Sequence, residues 1–218
     1  GYKRLRKRLD EAGKPYVKLV ASNSLDENTM ADMELYEGAR FDSYGVGEKL
    51  ITSSSSPVFG GVYKLVAVKE DDGTYSPRMK CSDSASKAII PGKLMAWRIY
   101  DEEGKGQADI ISLDDEIIEE GKEITVYDMN PDALHHSRKI TPLKVEKLLV
   151  PHLINGELAM ELPTIKEKKE FIKDQLENKV WESELRPKMP HSHYVDLTEK
   201  VYEVREAMYK KLHGGSLD

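Results

Sequence analysis

One stretch, residues 17–50, constrains the fold of this chain more than any other. It reads VKLVASNSLDENTMADMELYEGARFDSYGVGEKL. Two short apolar runs, Val17–Ala21 and Phe41–Tyr44, flank a segment that carries helix start and stop signals. This pattern predicts a βαβ unit with two parallel strands. Ligands of barrels and of open α/β sheets bind at the carboxyl ends of parallel strands, so the residues after each run are the first candidates for a site.

Small polar residues and glycines follow both runs. Glycine lets a ligand approach the backbone closely, and successive free N–H groups at a turn or a helix start form a cradle for an anion. Ordinary turns and helix caps use the same residues, and Ser24 with Glu27 forms such a capping box. We expect the Glu48 carboxylate to point away from a bound phosphate. The candidate phosphate-binding residues are Ser22, Asn23, Gly45, Val46, Gly47 and Glu48.

The pattern changes from alternating strands and helices to antiparallel strands near Pro57. The turn signal Asp71-Asp72-Gly73 predicts a hairpin. We therefore predict an α/β chain with βα units in 1–57, a β-rich segment in 58–130 and a helical region in 131–218. The predicted strands beyond the βαβ unit are Val58–Val68, Arg78–Cys81, Leu94–Tyr100, Ala108–Ser112 and Ile124–Asp128.

Three helices are predicted outside the βαβ unit. The first has Tyr2, Leu5 and Leu9 on one face and is followed by Gly13 and Pro15, which end it. The second begins at a capping box of Thr164 and Glu167, and the third begins at Asp196 with Glu199. Both C-terminal helices carry apolar residues at helical spacing, so we expect each to pack one face on the rest of the chain.

Composition excludes several classes of function. The net charge is −6, which argues against nucleic acid as the partner because phosphate contacts require a basic excess. No run approaches the roughly 20 apolar residues that cross a bilayer, so no membrane partner is expected. The single cysteine, Cys81, excludes an intrachain disulfide and fits a cytoplasmic setting. The chain opens within a helix pattern, and we expect it to be the later part of a larger protein.

Two histidine pairs are the remaining candidates for metal or proton chemistry. His135 and His136 are adjacent, so their side chains diverge and shared ligation is awkward. His191 and His193 have the spacing of strand neighbours on one face, but no third ligand is evident. Cys81 has no histidine partner in view and is expected to be a small buried side chain. The sequence predicts no metal site and no catalytic residue.

Several runs together resemble the second half of nicotinate phosphoribosyltransferases. These are ASNSLDE, FDSYGVGEKLITS, PVFGGVYKLVAV, PGKLMAWRIYDEEGKGQADIISLDDE, LINGELAMELPTIKEKKEFIKDQL and HSHYVDLTEKVYEVREAM. The resemblance runs from about Leu5 to Leu212. It implies an irregular α/β barrel of the type II phosphoribosyltransferases, followed by an antiparallel β segment and C-terminal helices. It also implies the reaction of nicotinate with phosphoribosyl pyrophosphate to give nicotinate mononucleotide, the entry to NAD by salvage.

The resemblance implies cofactors and partners as well. ATP is hydrolysed through a phosphorylated histidine, Mg²⁺ neutralises the leaving pyrophosphate, and the enzyme is a homodimer. Backbone N–H groups at Gly45, Val46 and Gly47 are then expected to hold the 5-phosphate of the ribose. This chain departs from the family at Glu48, where many members have threonine. None of its histidines matches the phosphorylated one, so we expect the chain to be inactive alone. A nicotinamide phosphoribosyltransferase, another phosphate-binding barrel and a non-catalytic interaction domain remain alternatives.

Overall fold

The computed structural model describes residues 1–39, 41–53, 57–58, 60–80, 89–129 and 136–213. The chain divides into two units. The first is Gly1–Val62 with Arg186–Pro190, and the second is Tyr63–Leu185 with His191–Asp218. Among the helices of these described ranges, none combines the length and the apolar character that a membrane span requires. The predicted strand residue Cys81, the first histidine of the pair at 135–136 and Ser54–Ser56 lie outside the described residues.

The first unit contains the βαβ pattern. Helix α1 spans Tyr2–Glu11, strand β1 Val20–Ser22, helix α2 Glu27–Ala31, strand β2 Ser43–Gly45 and helix α3 Glu48–Ile51, and a single turn of π-helix, Asp32–Tyr36, extends α2. Strands β1 and β2 pair in parallel with Ser22 opposite Gly45, which confirms the predicted parallel pair.

Both strands begin later than predicted. The side chain of Asp42 accepts a hydrogen bond from the Leu19 N–H at 2.7 Å, and the Asp42 N–H donates to the Leu19 carbonyl at 2.9 Å. The Asp42 side chain thus takes the place of a backbone acceptor for the Leu19 N–H, and regular pairing of the two strands starts at Val20. Asp42 has this structural role.

The predicted capping box at Ser24 is wrong. Asp26 caps α2, and its Oδ1 accepts from the Thr29 N–H at 2.7 Å. Ser24 instead has a φ of 49°, and Asn23 before it has a φ of 97°. These left-handed conformations turn the chain sharply between β1 and α2 and carry Ser24 away from the cap position.

The second unit is built on one six-stranded sheet. Its strands are β5 Leu94–Tyr100, β6 Gly106–Leu113, β7 Ile124–Asp128, β8 Ser137–Ile140, β9 Lys144–Lys147 and β12 Val195–Thr198. Their order is β8-β7-β12-β6-β5-β9, and only the β12–β6 pair is parallel. The predictions for β5 and β7 are confirmed residue by residue, and that for β6 is confirmed with a wider span.

The sheet is strongly curved. Strands β8 and β9 form its opposite edges, yet three residues, 141–143, join them. Such a link spans at most about 15 Å, whereas the edges of a flat six-stranded sheet lie about 24 Å apart. Ile140 of β8 and Val145 of β9 pack against the same buried cluster. The concave face therefore encloses the core, which contains Trp97, Ile99, Ala108, Ile110, Ile118 and Val126.

Smaller elements complete the second unit. Strands β3 Ala67–Lys69 and β4 Tyr75–Pro77 form the predicted hairpin, with Gly73 in its turn at a φ of 88°. Strands β10 Leu153–Ile154 and β11 Glu157–Leu158 form a second hairpin. Helix α4 spans Ile165–Asp174, followed by a π turn at Gln175–Lys179 and a 3₁₀ turn at Glu182–Leu185, and helix α5 spans Glu199–His213.

Four predictions for this unit are wrong. The described residues of 58–66 form no strand, and Val62 is 80% exposed. The predicted strand that starts at Arg78 lies beyond β4, which ends at Pro77. The region 131–218, predicted as helical, also contains five strands, β8 to β12. The apolar face of α4 does not pack inward, since Ile172 is 54% exposed.

The start of the last helix also differs from the prediction. Asp196 lies in β12, is 2% exposed and pairs with Arg138 at 2.6 Å. Thr198 caps α5 instead, since its hydroxyl accepts from the Val201 N–H at 3.4 Å. Burial raises the pKa of Asp196 and outweighs the Arg138 contact, which lowers it. The division into 1–57, 58–130 and 131–218 otherwise stays a prediction.

Candidate phosphate-binding site

The parallel pairing brings the two predicted turns side by side. Ser22 and Gly45 are directly opposite at the carboxyl ends of β1 and β2. A Cβ on Gly45 would lie 3.1 Å from the Ser22 Oγ and 3.8 Å from the Ala21 carbonyl oxygen. The missing side chain at Gly45 therefore allows the two strand ends to approach closely. This closeness is a requirement for any site that both turns share.

A cavity of about 410 Å³ opens beside these strand ends. Gly47 and Glu48 of the predicted set line it, whereas Ser22, Asn23, Gly45 and Val46 are not among its lining residues. A Cβ on Gly47 would meet nothing within 4 Å, so that backbone is open to an incoming group. The complete lining is Ser24, Leu25, Gly47, Glu48, Lys49 and Thr52.

The start of α3 supplies donors to this cavity. Gly47 is the N-cap residue, and its carbonyl accepts from the N–H groups of Leu50 and Ile51 at 3.1 and 3.2 Å. The leading N–H groups of a helix have no acceptor within it. Among the hydrogen bonds of the described residues, none is donated by the backbone N–H of Gly47, Glu48 or Lys49. Unused donors in a row suit an anion's oxygens.

Charge at the cavity comes from three side chains. The Lys49 Nζ lies 2.6 Å from the Asp26 Oδ2, and Glu48 borders the same cavity. The hydrogen bond from Lys49, followed by those from Thr29, lowers the pKa of Asp26, so this carboxylate stays ionised through the neutral range. Sequence reasoning missed Lys49 and Thr52, although both follow Gly47 within one and a half helical turns.

The histidines have structural contacts or lie apart. His191 and His193 precede β12 instead of sharing a strand face. His193 Nδ1 lies 3.1 Å from Glu184 Oε1, and its Nε2 lies 3.3 Å from Asp109 Oδ1. The hydrogen bond to Asp109 raises the pKa of His193, burial opposes it, and Glu184 adds to the rise. His136 is exposed. Within the described ranges, no three His, Cys, Asp or Glu side chains are grouped to hold a metal ion.

A second cavity of about 410 Å³ lies in the second unit near these histidines. Arg138 borders it with its guanidinium 4.6 Å from the centre of the Tyr194 ring. That arginine pairs with Asp196 through its Nη2 at 2.6 Å. Trp181, His191 and Glu184 also border the cavity. None of the residues predicted from the sequence for phosphate binding lies here.

Comparisons with known proteins agree on one family. The model of the nicotinate phosphoribosyltransferase C-terminal domain matches residues 94–205, about half of the chain. The nicotinate phosphoribosyltransferase of Bacillus subtilis is 32% identical over 96% of this chain and 44% of its own length. The human nicotinate phosphoribosyltransferase is 30% identical over 85% of this chain and 33% of its own length.

The solved structures include a similar fold. The crystal structure of human nicotinic acid phosphoribosyltransferase matches with a TM-score of 0.64 and 25% identity, over 95% of this chain and 36% of that one. The chain thus spans between a third and a half of the length of these relatives. The range that the family model matches includes the whole of β5, β6 and β12. Because the model of the family's C-terminal domain matches about half of the chain, the chain belongs to the nicotinate phosphoribosyltransferase family.

Proposed function

We propose that this chain is the phosphate-anchoring, C-terminal part of a nicotinate phosphoribosyltransferase. The enzyme would form nicotinate mononucleotide from nicotinate and phosphoribosyl pyrophosphate with ATP hydrolysis, in NAD salvage. The observation that supports it is the cavity at the start of α3, beside the ends of two parallel strands. In this proposal β1 and β2 belong to the type II phosphoribosyltransferase barrel, and the enzyme is a cytoplasmic homodimer.

The chemistry is a displacement at the anomeric carbon of the ribose. Pyrophosphate leaves and the pyridine nitrogen of nicotinate attacks. The N–H groups at Gly47, Glu48 and Lys49 would bind the oxygens of the 5-phosphate, and Ser22, Asn23, Gly45 and Val46 would hold the neighbouring turns in place. Fixing the phosphate fixes the position of the reacting carbon, because the sugar connects the two through few rotatable bonds.

The proposal assigns only this anchoring role to the chain. Mg²⁺ and ATP belong to the complete enzyme, but the described residues include no cluster of carboxylates and histidines that suits a metal ion. We also propose that the chain alone forms no product, since none of its histidines matches the one that the family phosphorylates.

Calorimetric titration with ribose 5-phosphate and with phosphoribosyl pyrophosphate tests the proposal. Gly47→Leu should weaken both affinities by at least about tenfold, since a loss of about 1.4 kcal/mol of binding energy is tenfold. Gly60→Leu is the matched control, because a Cβ there also meets nothing within 4 Å. An unaltered chain that binds neither phosphate, or a Gly47→Leu variant that binds like the control, would contradict the anchor. Product formation by the chain alone would contradict its inactivity.

A further inference from the structure

Lys49 supplies the positive charge that a bound phosphate would need at the cavity beside α3. A phosphate monoester carries close to two negative charges near neutral pH. Asp26 and Glu48 place two carboxylates at or beside the cavity, and Lys49 is the one cation among its lining residues. Without this ammonium, the charged side chains that an entering phosphate would meet are the two carboxylates, Glu48 in the lining and Asp26 beside it. If the cavity binds a phosphate, Lys49 is the side chain on which that binding depends.

The geometry leaves Lys49 able to serve two acceptors. The two oxygens of the Asp26 carboxylate have different partners. Oδ1 accepts from the Thr29 N–H and hydroxyl at 2.7 and 2.6 Å, and Oδ2 contacts the Lys49 Nζ at 2.6 Å. An ammonium has three donors, and the contacts of the described residues use one of them. The Lys49 side chain is 46% exposed while Asp26 is 15% exposed. Asp26 is thus a fixed support, and Lys49 presents its remaining donors outward.

We propose that Lys49 binds the phosphoryl group of a phosphorylated sugar directly and that Asp26 positions the Lys49 ammonium for this contact. The inference rests on the proposed function and adds a residue to its site. Thr29 fixes the Asp26 carboxylate, and Asp26 in turn fixes the ammonium. Ser24 and Thr52 contribute hydroxyl groups to the same lining.

Titration of variants with ribose 5-phosphate tests the role of Lys49. Lys49→Met should lose at least about tenfold in affinity, because charge-assisted hydrogen bonds to phosphate are among the strong ones. Lys49→Arg should keep most of the affinity, since the cation is retained. Lys18→Met is the matched control, as Lys18 is exposed in the same unit. Circular dichroism must show the same helix content in all variants.

Asp26→Asn separates positioning from simple repulsion. If Asp26 only repelled the phosphate, its neutralisation would tighten binding. If Asp26 positions Lys49, affinity should fall by several-fold, and asparagine should still cap α2 because it is as good an N-cap as aspartate. Tighter binding of ribose 5-phosphate by Asp26→Asn would overturn the positioning role.

The outcomes distinguish this inference from the function on which it rests. If the unaltered chain and the Lys49→Met variant bound ribose 5-phosphate with equal affinity, the role of Lys49 would be overturned and the phosphate anchor would stand. No binding by the unaltered chain would overturn both. A measurement without mutation completes the test. The ¹³C resonance of the Lys49 ε-methylene should shift when ribose 5-phosphate is added, while that of Lys18 should not. A shift of Lys18 alone would count against the inference.

Discussion

Truncation of Ile110 measures how much the core inside the curved sheet contributes to the stability of the second unit. Ile110 is 0% exposed and belongs to the buried cluster with Trp97 and Val126. Ile110→Ala removes three carbon groups, which at about 0.8 kcal/mol each amounts to about 2.4 kcal/mol. The cavity left behind adds about 1 kcal/mol. The free energy of unfolding should therefore fall by about 3 to 4 kcal/mol.

Urea denaturation followed by tryptophan fluorescence measures this loss, because Trp97 is 5% exposed and reports directly on the cluster. The matched control is Ile117→Ala, the same substitution at a side chain that is 77% exposed. The control should change the free energy of unfolding by no more than about 0.5 kcal/mol. The two variants should have equal denaturant slopes, so that the midpoints can be compared.

The refuting result is a small difference between the two isoleucines. If Ile110→Ala cost less than about 1 kcal/mol, the concave face of the sheet would not enclose the main core of this unit. Equal losses for both variants would show instead that the substitution acts on the unfolded chain. Either result would contradict the argument that the short link between β8 and β9 curls the sheet around these side chains.

Two further predictions concern polar side chains, the buried Ser112 and the partly buried His193. Ser112→Ala should lower the free energy of unfolding, measured by urea denaturation, by about 1 to 3 kcal/mol. The Trp97 Nε1–H donates to the Ser112 hydroxyl at 2.9 Å and would lose this buried acceptor. The control Ser137→Ala, at an exposed strand position, should leave the free energy of unfolding unchanged. The raised pKa of His193 means that its contact with Asp109 stabilises the fold fully below the unfolded pKa of about 6.5 and less as the pH rises through the higher folded value. The loss of stability in His193→Gln should therefore be larger at about pH 6 than at about pH 8.5, and an equal loss at both would refute this assignment.

The strands that sequence reasoning predicted correctly are those with strong local signals. Leu94–Tyr100 and Ile124–Asp128 combine β-branched and aromatic residues with turn residues on both sides. Strands β8 and β9 read SRKI and KVEK, with one inward apolar residue each that contacts the core, Ile140 and Val145. Their formation depends on the neighbouring strands β7 and β5, so no local pattern reveals them.

The opposite error occurred at 58–66 and at α4. Both have enough apolar residues to suggest burial, yet side chains such as Val62 and Ile172 remain exposed. Hydrophobic pattern indicates which face could be buried, but whether another element covers it depends on tertiary structure.

The candidate site was predictable only in part. Parallel strands place their carboxyl ends together, and this rule correctly put Ser22 beside Gly45. The cavity itself lies one turn further along, where α3 begins, and it includes Lys49 because Asp26 holds that side chain. This contact between the N-cap of α2 and a residue of α3 follows from the folded geometry. The sequence alone places these residues 23 positions apart.

The position of β12 has a consequence for how the chain reaches its native state. Val195 pairs with Asp109, and Asp196 also lies opposite Asp128, so a late segment inserts between two strands synthesised much earlier. Until that segment leaves the ribosome, β6 and β7 each lack a neighbour on one side. Contacts between distant parts of a chain form slowly. The nascent polypeptide therefore has an unfilled gap between β6 and β7 until residues 195–198 are synthesised.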